Sequence, residues 1–510
     1  MSNIKIFACN ERGSQIELSL RLSFVSLIFF VTIISLFNAD AVFGQTYKSW
    51  ALDESLSSKR DEIMTAMKQG NISPANRTEW NSFFDKYYFA RWTTEGNAVF
   101  VQNYVRDLTA KDLKDATGAA RTFFLTKSLE TLTKMTNDKS LNPTARYNAI
   151  LALGQLTSKD AVSNEPPVYY EDALKQLITI HDNNSTPEYI RVGALVGIVR
   201  HAIAGINNED LKNNKVPAIF IKTINSNRPA ADQDADERAK SDWSRMRAFD
   251  GLAALKVVNQ NIITVIKDVI KSDIESYEMR GRAARLVGEL DLQSTDDKIK
   301  TEFGQVSALL ISLAKSYCDL EISKIDSMIN KAFPEGNPNR PMPGGFSRRP
   351  TISGIDTGIS SGIGTGESTI TEPPFASLPP AAQREIAATV QRIKTNMFYY
   401  IMYGMRGGKL SGPTSTGVVT ILKSGDPNWE KLNNATKSLA SLIETIDKGK
   451  IETTTPTGTP RPRPTNPTTP SNKGQHKVNF TIIRESLQKC SNELEEIITG
   501  KKIESPKPKS

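Results

Sequence analysis

Four segments of this chain repeat one spacing, and that spacing limits what the chain can fold into more than any other feature. They are ARYNAI (145–150), IRVGAL (190–195), SRMRAF (244–249) and MRGRAA (279–284). In each, an arginine (Arg146, Arg191, Arg245, Arg280) is followed three residues later by alanine (Ala149, Ala194, Ala248, Ala283) and seven residues later by an aliphatic (Leu153, Ile198, Leu252, Val287). Positions offset by three and seven share one face of an α-helix, whereas in a strand the arginine would face away from the other two. A small side chain where two helices cross lets their backbones approach, and the aliphatic two turns beyond the arginine fills the gap beside it. Successive arginines stand 45, 54 and 35 residues apart, which leaves room for one further helix between each pair.

Those further helices read over 119–134, 169–181, 216–225 and 262–271, and turn or proline residues mark several helix starts, as at Asn142-Pro143 and Thr186-Pro187. A long amphipathic helix is expected over 299–329, and strand signal is almost absent. The uneven spacing leaves 228–240 (RPAADQDADERAK) as an inserted loop.

The pattern resembles the second helix of a HEAT repeat, over roughly residues 117–292. The resemblance implies an all-α chain built on a HEAT-like, armadillo-type α-solenoid spanning 117–332. It also implies that each repeated arginine meets an acid of an adjacent turn, for which Asp138, Asp182, Asp242 and Asp273 stand just upstream. In such arrays the second helices line the concave face, so Tyr147, Arg200, Arg247 and Arg282, beside the core stripe, are expected to point into a groove. Arginine offers planar bidentate donors and tyrosine offers rigid contact area, which suits a protein partner with acidic, extended segments. The alternative is that these side chains only solvate the groove and neutralise neighbouring acids.

Composition divides the rest of the chain. Residues 1–44 read as a secretory signal peptide: Lys5, Arg12 and Arg21 precede the uncharged run LSFVSLIFFVTIISLF (22–37), and small residues follow before Gln45. An uncleaved single-pass anchor is the alternative, and membrane contact is expected only in that case. Export to the periplasm, the envelope or the exterior follows from this reading. Residues 45–116 form a helical cap, in which Trp80, Phe83, Phe84, Tyr87 and Tyr88 follow one helix face; they either cover the end of the array or form an exposed aromatic platform. Residues 333–380 and 452–478 are rich in proline, glycine, serine and threonine, and are expected to be disordered linkers. Between and after them, 381–451 and 479–499 read as further helices, followed by a basic tail over 500–510. Whether they dock on the array is open.

Chemistry-bearing patterns are scarce. The chain carries three histidines, His181, His201 and His476, with no zinc-ligand spacing, and three cysteines, of which Cys9 lies in the leader. Cys318 and Cys490 either pair in an oxidising compartment or stand as unrelated thiols on apolar helix faces. His201 falls ten residues after Arg191, where the sister helices carry Leu156, Leu255 and Leu290, so it reads as a buried structural histidine. Gly362 to Ser368 (GIGTGES) has Glu367 where a phosphate-binding loop needs lysine. Asp232, Asp234 and Asp236 lack the glycine and terminal glutamate of a calcium loop. The GMRGGK stretch (404–409) reads as a glycine helix stop. No catalytic residue, cofactor or metal is therefore expected. The net charge of +8 on 510 residues interleaves both signs, which disfavours nucleic acid. The chain reads as an exported protein-binding or scaffold protein and not an enzyme; the alternative is an enzyme whose histidine-poor site lies in the C-terminal helices.

Overall fold

The computed structural model describes residues 47–163, 165–226, 235–292, 297–332, 380–407, 416–422, 425–448 and 480–502. The leader, the GIGTGES run, residues 333–379 and 452–478 of the two linkers, and most of the basic tail lie outside these residues. Among the described residues the protein is all-α apart from one small hairpin, and it divides into two compact units, Met1–Leu153 and Gly154–Ser510.

In the first unit the α-helices of six residues or more are α1 (Arg60–Lys68), α2 (Pro74–Phe83), α3 (Val101–Arg106), α4 (Gly118–Asn137) and α5 (Pro143–Leu153). Helix α2 begins where Ser73 accepts a hydrogen bond from the Asn76 amide at 3.2 Å and Pro74 supplies its fixed φ. A π-helical turn continues it over Phe84–Tyr88. A strict 3.6-residue repeat cannot hold Phe83, Phe84, Tyr88 and Phe89 on one narrow stripe. The wider turn takes up the extra residue, with the Phe89 amide donating to the Phe84 carbonyl at 3.0 Å. Trp80, Phe83, Phe84, Tyr88, Phe89 and Trp92 are all at most 2% exposed, and Phe84 stacks on Phe124 of α4 at 4.8 Å. The aromatic stripe is thus core, with Tyr87 at its half-buried edge.

The second unit opens on the hairpin, β1 (Thr157–Lys159) antiparallel to β2 (Val168–Tyr169), with Thr157 opposite Tyr169 and Lys159 opposite Val168. Three helix pairs follow: α6 (Glu171–Asp182) with α7 (Glu188–Ala204), α8 (Val216–Ser226) with α9 (Ala235–Leu255), and α10 (Gln260–Lys271) with α11 (Tyr277–Glu289). Second members pack side by side in the order α7, α9, α11, and first members in the order α6, α8, α10. The alanines and aliphatics of the repeated pattern form the seam: Ala194, Ala248, Ala283, Ile198, Leu252 and Val287 are fully buried. Glycines six residues after the arginine add close crossings that the alanine pattern does not reveal. A Cβ on Gly197 would lie 2.8 Å from Leu177, and one on Gly251 would lie 2.3 Å from the Phe220 ring.

The inserted loop is shorter than the sequence suggests. Residues 235–240 are the first turns of α9, where Asp236 and Glu237 sit at the positive end of the helix dipole.

Helix α12 (Asp297–Ala332) packs against α10 and is covered by the C-terminal segments. These are α13 (Pro380–Lys394), prolonged by a π-helical stretch Thr395–Met402 and a last turn Tyr403–Arg406, then α14 (Pro427–Lys448) and α15 (Phe480–Thr499). The question of docking is therefore answered within this unit: α14 and α15 lie on α12, and 395–406 lies on α11. Gly407, at φ 63°, ends the last turn as a left-handed C-cap, as the glycine stop predicts.

Candidate functional site

Three of the four repeated arginines anchor a second helix to the end of its first. Arg146 donates Nε to the Thr136 carbonyl at 3.0 Å, Arg245 to Ile224 at 3.0 Å and Arg280 to Ile270 at 2.8 Å. All three are buried, and the last carbonyls of the preceding helix, which have no partner within that helix, are satisfied by them. Three of the four upstream acids serve as expected. Asp242 meets Arg245 at 3.0 Å and Asp273 meets Arg280 at 3.9 Å. Burial works to raise the Asp138 carboxyl, but hydrogen bonds from Ser140 and Trp50 and the charge of Arg146 hold it below its usual value. Arg191 is the exception. Its buried Nε meets no hydrogen-bond partner, while Asp182 pairs with Lys222 at 2.9 Å. Arg191 and His181 line a cavity of about 70 Å³, where burial pushes the imidazole down to about 4 and so keeps it neutral at pH 7.

The four candidate binding residues do not form one cluster. Tyr147, in the first unit, is half-buried, and burial raises its phenol. Arg200 donates to the Gly154 carbonyl at 3.4 Å, and burial lowers its guanidinium. Arg247 and Arg282 do come together, because neighbouring helices α9 and α11 aim both at Asp250, at 3.1 and 3.3 Å. Glu278 adds a second acid to Arg282 at 3.4 Å. Both arginine side chains remain about a quarter exposed, at 28% and 26%.

Around them lies a set of aromatic rings outside the repeated sequence pattern. The Arg247 guanidinium lies over the Trp243 ring at 5.4 Å, Arg282 over Tyr400 at 5.9 Å and Arg285 over Tyr403 at 5.4 Å. Tyr399, beside Tyr400, is 48% exposed. The two tyrosines arrive on the C-terminal segment because α11 presents glycine to it. A Cβ on Gly281 would meet Tyr400 at 2.5 Å, and one on Gly288 would meet the Tyr403 carbonyl at 2.3 Å. The face of α11 that the repeat pattern leaves for a groove is thus partly filled by the chain's own 395–406. Asp250, Trp243, Tyr400 and Tyr403 carry no signal in the local sequence pattern; the glycines at 281 and 288 are the available signal for a close approach.

His201 is buried against the Tyr169 ring at 4.9 Å, consistent with a structural role. Asp232 and Asp234 lie outside the described residues, and Asp236 belongs to the first turn of α9. Among the described residues no group of three His, Cys, Asp or Glu side chains is placed to hold a metal ion. No described helix is long and apolar enough to cross a membrane. Comparison with protein-family models, with curated proteins and with solved structures finds no match to this chain.

Proposed function

We propose that the chain is an exported protein-binding scaffold, acting without catalysis through a HEAT-like α-solenoid surface. The observation that carries the reading is the row of arginine–aromatic stacks formed by Trp243 with Arg247, Arg282 with Tyr400 and Arg285 with Tyr403. Arginine, tyrosine and tryptophan are the residues most enriched at binding hot spots, because they offer large rigid area and several donors at once. Stacking on a ring holds each guanidinium in one orientation before a partner arrives, which lowers the ordering cost of binding. Asp250 and Glu278 occupy only some of the N–H donors of Arg247 and Arg282, and although the Arg282 Nε is buried, carboxylates or carbonyls of a partner can meet the exposed terminal N–H groups. The side-by-side packing of α7, α9 and α11 over α6, α8 and α10 supports the solenoid. The leader supports export, with the mature chain starting at Gln45.

The partner is a protein with acidic, extended segments. Cross-linking of the full chain to its neighbours in its own cell supplies the candidates. Their binding is then measured against a paired Arg247→Gln, Arg282→Gln variant whose melting temperature is unchanged. Binding should fall at least about tenfold and weaken with rising salt. Retention of every partner by the variant at all salt concentrations would sink the proposal.

A further inference from the structure

Helices α12 and α15 run antiparallel in one register, fixed by three polar pairs. Arg484 bonds Asp326, Ser491 donates to Asp319 at 2.5 Å, and Lys315 meets Glu495 at 3.2 Å. Cys318 directly precedes Asp319, and Cys490 directly precedes Ser491. In this antiparallel register the two cysteines are offset by only about two residues along the helices, and their side chains meet in the interface, where both are free and at most 2% exposed. Cys490 has a second neighbour. It lines a cavity of about 210 Å³ between α14 and α15, together with Ser438, Ser441, Leu442, Ser486 and Lys489.

We propose that Cys318 and Cys490 are a disulfide-forming pair, closed by a small disulfide or a thiol–disulfide oxidoreductase that reaches Cys490 through this cavity. The bond would clamp α15 onto α12 across 172 residues of sequence. The pairing is independent of the protein-binding reading and needs only a disulfide oxidant. In the first step the Cys490 thiolate attacks one sulfur of the incoming disulfide, forming a mixed disulfide and expelling one thiolate. In the second, the Cys318 thiolate attacks the Cys490 sulfur and expels the other. The two protons of the cysteine pair pass to the two released thiolates, and the pair's two electrons reduce the incoming disulfide to two thiols.

The order of attack follows from access. Cys490 borders the cavity, whereas Cys318 is fully buried and does not line it. Contact with Cys490, and then burial, raises the Cys318 thiol well above its ordinary value, so Cys318 is poorly suited to react first.

The test uses the full chain treated with oxidised glutathione, then unfolded, alkylated and digested with trypsin. Cys318 and Cys490 should both resist alkylation, whatever the state of Cys9. A reductant-sensitive species should join the peptides 316–324 and 490–501, and the Cys9→Ser chain should behave identically. Cleavage at Lys473 or Lys477 should leave α15 attached to the rest of the chain under denaturing, non-reducing conditions. Persistent glutathione on Cys490 alone, full alkylation of both thiols, or linkage through Cys9 would each overturn the assignment.

Discussion

The most exacting test of the helix-pair geometry is the removal of Glu275. This carboxylate, in the turn between α10 and α11, is 4% exposed and meets the Arg245 guanidinium at 2.7 Å and again at the other terminal nitrogen. Arg245 is completely buried and also holds the Ile224 carbonyl that ends α8. Glu275→Ala leaves a buried cation with only Asp242 as counter-charge. Stripping one partner from a buried ion pair costs roughly 3–5 kcal/mol. Asp242 remains at 3.0 Å, so the lower end applies: about 3 kcal/mol, or more than a hundredfold in the folded-to-unfolded ratio. Replacing both partners, as Arg245→Met with Glu275→Leu, removes the stranded cation and should cost less, even though the Ile224 carbonyl and Asp242 lose Arg245. Lys300→Ala breaks an exposed pair with Asp297, whose side chains are 41% and 97% exposed, and should change stability by no more than about 0.5 kcal/mol. Native-state hydrogen exchange over α8 to α11 reads these changes in the affected region. A Glu275→Ala loss below about 1 kcal/mol, or a double variant as damaged as the single one, would refute the reasoning.

Two further outcomes follow from buried groups. Burial, aided by Arg200, pushes His201 down to about 3, whereas an unfolded histidine titrates near about 6.5, so the unfolded chain takes up the proton first. The contribution of His201 to stability should be full above about pH 6.5 and fall as the solution is acidified, by about 2 kcal/mol at about pH 5, alongside a similar loss from His181. His201→Leu, the residue its sister helices carry, should remove its share of that slope in pH-dependent unfolding and leave that of His181; an unchanged slope would contradict the assignment. A Cβ on Gly404 would lie 2.2 Å from the Ala284 carbonyl oxygen, a backbone atom that cannot swing away. Gly404→Ala should cost roughly 1–3 kcal/mol and speed amide exchange over 395–406, while Gly96→Ala, with nothing within 4 Å, should leave that exchange unaltered.

The sequence alone determined the helices and their seam. An arginine with alanine three residues on and an aliphatic seven on is a local helical signal, and those alanines and aliphatics are buried in α7, α9 and α11, as in α5. The start of α9 is not announced by the sequence, because ADERAK presents no apolar stripe. Its acids at the first turn and bases after it favour a solvated helix through local electrostatics. What covers each face was decided only by the tertiary structure. Arg247 and Arg282 share Asp250 because α9 lies beside α11, and Tyr400 reaches Arg282 from 118 residues further along the chain. Cys318 faces Cys490 only because Asp326, Asp319 and Lys315 set the register of α12 against α15. Helical periodicity is a property of neighbouring residues and is written in their spacing. The choice of partner surface depends on contacts between distant segments, where glycine gaps and buried charges select one docking among many that the same amphipathic stripes would allow.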